Sequence, residues 1–92
     1  MQQTITISVI TITYNAATVL QRTLDSVAHQ TYQHIEHLII DGASKDDTLA
    51  IAHRYAEGKN YPVVIQSEPD KGIYDAINQG MAKATGDYLV FL

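Results

Sequence analysis

The stretch that most constrains this chain is Leu38-Ile39-Ile40-Asp41-Gly42-Ala43-Ser44, where an apolar run stops abruptly at a carboxylate and a glycine. Apolar side chains on consecutive positions do not suit a strand with one wet face. They suit a parallel strand whose two faces are both covered by helices. Behind the glycine, Ser44 and Asp47 stand three residues apart, the spacing of a capping box, so a helix is expected to begin just after Ser44. In a parallel α/β sheet, the carboxyl end of a strand facing a helix N-terminus is where ligands bind.

The flanking sequence repeats this strand-to-helix grammar. Residues 5–12 are β-branched and largely alternating, read as a first strand, and run into Thr13-Tyr14-Asn15. From Ala17 the period changes, with Ala17, Leu20, Leu24, Val27 and Ala28 on one helical face and Asn15 or Thr18 available as the cap. Residues 35–40 form the second strand. The second helix turns Leu49, Ile51, Ala52, Tyr55 and Ala56 towards the core and is expected to stop at Gly58. Residues 63–66 make a short third strand, followed by the polar loop Ser67-Glu68-Pro69-Asp70-Lys71-Gly72. A third helix places Ile73, Ile77, Met81 and Ala84 on one face and ends at Gly86, and residues 87–92 enter a fourth strand.

Such alternation requires right-handed crossovers and parallel pairing. The expected fold is α/β, a Rossmann-like three-layer α/β/α arrangement with a parallel sheet of about four strands in the order 3-2-1-4. That order lines up Thr13-Tyr14-Asn15, Asp41 through Ser44, and Glu68 through Gly72 along one edge. A chain of 92 residues holds one core at most, so residues 1–92 form one unit, and its stop within a strand suggests the first part of a longer domain. The formal net charge of −4 and the scattered Lys and Arg argue against a nucleic-acid surface. Without cysteine there is neither a disulfide nor a thiolate metal site, and no signal peptide or transmembrane segment is legible. Cytoplasmic residence is the default.

At the shared edge, Tyr14 offers a flat face for a base, and Asp41 can accept a hydrogen bond from a ring N–H such as uracil N3. Lys71 and Gly72 precede the third helix, whose N-terminus can supply N–H groups to a phosphate. Asp75 and Asn78 lie one helical step apart and can reach sugar hydroxyls together. Ser44 and Asp47 read more readily as caps than as ligand contacts, leaving Asp46 as the freer carboxylate. His34 and His37 have ligand-like spacing but no carboxylate partner, and a solvated role is expected for them, as for His29 and His53.

Four segments in order resemble the start of family 2 inverting glycosyltransferases of the GT-A fold: residues 9–15, 24–31, 35–48 and 68–80, the last similar to a pattern E-x-D-x-G-I-Y-D-A-x-N-x-G. The resemblance implies a nucleotide-diphosphate-sugar donor, most often a UDP-sugar, transferred with inversion to the hydroxyl of a saccharide or lipid-linked acceptor, as in cell-envelope polysaccharide synthesis. By carry-over, Thr13, Tyr14 and Asn15 line the base and ribose pocket and Asp41 contacts the base, with Gly42, Ser44 and Asp46 nearby. Lys71, Gly72, Asp75 and Asn78 match the later donor-site segment. Many members carry a second acid where Gly42 stands here. The family's acidic motif for a divalent cation (Mn2+ or Mg2+) and its catalytic base are expected beyond Leu92, so no metal ligand or catalytic residue is assigned within the chain. Alone, it is expected to bind donor weakly and not to turn over.

Rival readings are a non-catalytic Rossmann-like nucleotide-binding or interaction module and a dinucleotide oxidoreductase. The latter needs G-x-G-x-x-G after the first strand, where residues 13–18 hold no glycine. A receiver-type module would want an aspartate closing the third strand, which runs instead into Gln66-Ser67. The open fourth strand also leaves an edge through which copies of the chain can pair, and peripheral attachment at the inner membrane face is compatible with the acceptor class.

Overall fold

The computed structural model describes residues 4–92. Four strands and three helices alternate as β1 (Ile7–Thr13), α1 (Ala17–His29), β2 (Ile35–Asp41), α2 (Thr48–Ala56), β3 (Val63–Ser67), α3 (Ile73–Lys83) and β4 (Tyr88–Phe91). All pairings are parallel, and the sheet order is β3-β2-β1-β4, as the crossover rule requires.

Side chains of β1 and β2 divide by parity between two apolar layers. Val9, Ile35 and Ile39 pack with Leu20, Leu24 and Val27 of α1 and Ala52 and Tyr55 of α2. Ile10, Leu38 and Ile40 face Ala76 of α3 on the other side. Every residue of β2 is buried, which explains its consecutive apolar run. α3 approaches the sheet closely at Gly80, where an added Cβ would fall 2.8 Å from Ile10 Cγ2.

Four local expectations are corrected. Ser44 and Asp47 do not form a capping box: α2 begins at Thr48, and Asp47 at its N-cap makes no side-chain cap hydrogen bond. Neither Asn15 nor Thr18 caps α1, whose N-cap position is Ala16. The buried face of α3 is Ala76 and Gly80, while Ile73 and Met81 are exposed, because the close approach at Gly80 rotates the small residues inward. Ala28 likewise lies at the surface.

The histidines divide. His37 is not solvated but fully buried in β2, its Nε2 paired with Thr11 Oγ1 at 2.8 Å and its Nδ1 with the Tyr55 hydroxyl at 2.7 Å. Tyr55 in turn meets the Tyr61 hydroxyl at 2.6 Å, so a polar chain crosses from β1 through β2 to α2 and the segment before β3. Each buried polar atom in it finds a partner, which is the condition for tolerating such a chain in a core. His29, His34 and His53 are exposed.

Candidate functional site

The parallel register places Thr13, Asp41 and Ser67 abreast at the carboxyl ends of β1, β2 and β3. Asp41 is the hub of this row. Thr13 Oγ1 donates to its Oδ1 at 2.7 Å and Ser67 Oγ to its Oδ2 at 2.8 Å. From the following turn, Ser44 donates through its backbone N–H to Oδ2 at 2.8 Å and through its hydroxyl to Oδ1 at 2.5 Å. The carboxylate is 1 % exposed. Burial pushes its pKa up, but hydrogen bonds from the Ser44 side chain and backbone, Thr13 and Ser67 outweigh this and hold it below the ordinary aspartate value. Asp41 is therefore part of the fold's interior, with both oxygens accepting hydrogen bonds from the chain itself.

The β1–α1 and β2–α2 connections are laced together in the same manner. Asn15, at φ +46°, donates its N–H to Ser44 Oγ at 2.8 Å, and its side-chain oxygen accepts the Lys45 N–H at 2.8 Å. Thr48 Oγ1 accepts the Ala16 N–H at 2.8 Å, and Asp46 Oδ2 accepts that of Ala17 at 3.1 Å. The first N–H groups of α1 are thus capped from the neighbouring connection rather than from its own sequence, satisfying donors that every helix leaves open. Asp46 also accepts the Thr48 hydroxyl and N–H; that hydroxyl bond is the largest influence holding its pKa below the usual carboxylate value.

Of the residues engaged in this scaffold, Thr13 also faces the open space, whereas Asn15, Asp41, Ser44 and Asp46 do not line it. A cleft of about 360 Å³ is lined by Ile12, Thr13, Tyr14, Asp70, Gly72 and Ile73. Tyr14 is 63 % exposed and forms one wall. Gly42 lies against two of these lining residues: an added Cβ would sit 2.8 Å from Asp70 Oδ2 and 3.5 Å from the Tyr14 ring. Gly72, at φ +114°, turns the loop into α3 in a region that disfavours a side chain.

The loop before α3 differs from a ready phosphate cradle. Asp75 accepts the Lys71 N–H at 3.0 Å, and Asp70 Oδ1 accepts the Gly72 N–H at 3.1 Å. Two donors that an anion could use are already taken by carboxylates. Lys71 and Asn78 are exposed, and neither they nor Asp75 line the cleft. Asp75 instead accepts from Gln79 within α3.

Sequence reasoning missed Ser67, Thr48 and Asp70. Ser67 was legible only through register, since nothing in the run from Val63 marks it as level with Asp41. Asp70 was signalled by its place in Glu68-Pro69-Asp70-Lys71-Gly72, but attention to the neighbouring cation hid it.

The sequence profile of Glycosyl transferase family 2 matches residues 8–92. The chain belongs to this family. Among relatives, it is 52% identical over 88 residues to an uncharacterized glycosyltransferase of Mycobacterium tuberculosis, covering 95% of this chain and 32% of that protein. It is 44% identical over 85 residues to the PGL/p-HBAD biosynthesis glycosyltransferase of Mycobacterium bovis, covering 92% of this chain and 33% of that protein. The chain thus spans about a third of these family 2 relatives. Among solved structures, it matches a mannosyltransferase from Pyrobaculum calidifontis in complex with GDP-Man and Mn2+, with TM-score 0.84 and 30% identity over 90% of this chain and 25% of the other. It also matches S. aureus TarS in complex with UDP-GlcNAc, with TM-score 0.82 and 28% identity over 95% of this chain and 26% of the other. The fold is that of the GT-A glycosyltransferases.

Although one of these neighbours is described with Mn2+, the described residues here contain no group of three or more His, Asp or Glu able to hold a metal. On their own they do not fit a divalent cation.

Proposed function

We propose that this chain is the donor-recognising part of an inverting glycosyltransferase that takes a nucleotide-diphosphate-sugar, a UDP-sugar in first place. The observation that carries this reading is the cleft at the carboxyl edge of β1, walled by an exposed tyrosine and backed by a glycine in a family 2 chain. A nucleobase has a flat apolar face and a polar rim, which matches an aromatic wall beside hydrogen-bonding groups. In this reading Tyr14 stacks on the base, Thr13 lines the cleft with Gly42 lying against its wall, and Asn15, Asp41, Ser44 and Asp46 hold the two connections that carry them. Lys71, Gly72, Asp75 and Asn78 border the path towards the diphosphate and sugar.

The acceptor is proposed to be a saccharide or lipid-linked hydroxyl in envelope glycan synthesis, with the protein on the cytoplasmic side of the membrane. Support comes from the Mycobacterium bovis relative, whose name places it in PGL/p-HBAD biosynthesis. No catalytic base is assigned among the described residues, and no step is derived through a metal. Residues 1–92 are proposed to bind donor without turning it over and to pair through the β4 edge.

Isothermal titration of the folded protein with UDP and GDP tests the donor reading. Saturable binding that weakens about fivefold or more in Tyr14→Ala is expected, since stacking on an aromatic ring is worth about 1–3 kcal/mol per base. Absence of saturable binding to either nucleotide would overturn it.

A further inference from the structure

No apolar side chain anchors the loop that enters α3. Ser67, Glu68, Pro69, Lys71 and Gly72 are exposed and Asp70 is half-buried, so hydrogen bonds must set its course. Its near half is tied to β2, through the Glu68 N–H on the Asp41 carbonyl at 3.0 Å and the Ser67 hydroxyl on the Asp41 carboxylate. Its far half, which brings Asp70 and Gly72 to the cleft beside Tyr14, is held by a different route. Gln66 of β3 stands level with Ile40, and its side-chain amide donates to Gln79 Oε1 on α3 and, at 3.4 Å, to Glu68. Gln79 Nε2 donates to Asp75 Oδ2 at 3.0 Å, and the same oxygen accepts the Lys71 N–H at 3.0 Å. Gln66, Gln79 and Asp75 are all half-buried.

We propose that Gln79 is a positioning residue of the cleft: it ties Asp75 to β3 and, through the Lys71 N–H, fixes the segment from Asp70 to Gly72 that walls the cleft opposite Tyr14. The proposal rests on the donor-site reading above and adds to it a residue outside the cleft lining. An amide suits this place in the chain of hydrogen bonds. It accepts from Gln66 with one atom and donates to Asp75 with the other, whereas a carboxylate can only accept and an ammonium can only donate. Asp75 and Gln79 are four residues apart on one helix face, so the link asks nothing of the backbone. Without it the Asp75 carboxylate is free to turn to water, and the Lys71 N–H loses a fixed acceptor.

Calorimetric titration of the wild type, Gln79→Leu and Gln79→Glu with UDP at about pH 8 and about pH 5.5 tests this, each variant compared with wild type at the same pH. Hydrogen exchange at the Lys71 amide is a second readout that needs no ligand. Gln79→Leu is expected to weaken UDP about threefold to tenfold, the worth of one hydrogen bond. It should also speed exchange at Lys71 about tenfold while the amides of β2 keep their protection. Gln79→Glu sets two carboxylates face to face. It should match Gln79→Leu at the higher pH and approach wild-type affinity at the lower, where the pair shares a proton and the new carboxyl donates to Asp75. A side chain that merely fills space gives no such recovery. Variants that bind UDP as wild type does at both pH values, or weakened binding without faster Lys71 exchange, overturn the proposal and leave the donor site standing. If the wild type binds no UDP, the donor-site reading fails and this proposal with it.

Discussion

At the scale of single residues, Asp41 organises the strand ends beside which the resemblance implies a base contact. Its carboxylate gathers donors from the ends of the two flanking strands and from the following turn, in which Ala43 takes the left-handed region at φ +61°, a conformation that an L side chain adopts at some cost. Asp41→Ala is expected to destabilise the fold by about 3 kcal/mol, since hydrogen bonds to a charged group contribute about 1.5–3 kcal/mol and the buried Thr13 hydroxyl, with the part-buried donors of Ser44 and Ser67, loses its acceptor. Urea denaturation at neutral pH checks this; a midpoint equal to wild type would return Asp41 to the role of a dispensable surface acid. The sequence showed that an acid closes β2. It did not show which way that acid is committed, because the answer depends on Thr13 and Ser67 arriving level with it through pairing register. Asp70 carried the converse ambiguity, sitting in a polar loop whose path over Gly42 no local pattern specifies.

At the scale of elements, strand and helix identities were legible from the repeated switch between β-branched runs and helical spacing, and the order 3-2-1-4 followed from crossover handedness. The caps were not legible, since α1 draws its acceptors from Thr48 and Asp46 on another connection. Nor was the state of His37, which β2 carries into the core. Burial lowers its pKa from 6.5 to about 4. The unfolded chain therefore binds a proton between these values while the folded chain does not. Stability supplied by the neutral imidazole is complete above about pH 6.5 and falls away as the pH drops towards 4. A shift of this size corresponds to about 3 kcal/mol. Chemical denaturation across that range should show the decline, and His37→Gln should lack the part of the slope that lies above pH 4. A wild-type stability that stays level from pH 7 to 4.5 would mean that the imidazole gains a proton without leaving the core.

At the scale of the whole molecule, the two sides of the sheet differ in how completely they are covered. α1 and α2 close one face, whereas α3 alone lies on the other. Beside it runs an apolar groove of about 290 Å³ lined by Ile10, Ile12, Ile73, Ile77, Phe91 and Leu92, which shares Ile12 and Ile73 with the cleft beside Tyr14. β4 is exposed throughout and, among the described residues, pairs with β1 alone. An open parallel edge flanked by Tyr88, Leu89, Val90 and Phe91 at 40% exposure or more offers both unpaired backbone groups and apolar contact to a second copy. Sedimentation of the 92-residue chain is expected to show a concentration-dependent dimer. Phe91→Lys, at an exposed groove position, should shift it to monomer while circular dichroism remains unchanged, because a charge on that face opposes the mate's apolar surface without entering the core. A wild-type chain that stays monomeric at high micromolar concentration would show that twist and the terminal backbone suffice to guard the edge. Phe91 and Leu92 would then be free to pack against other partners of the same groove.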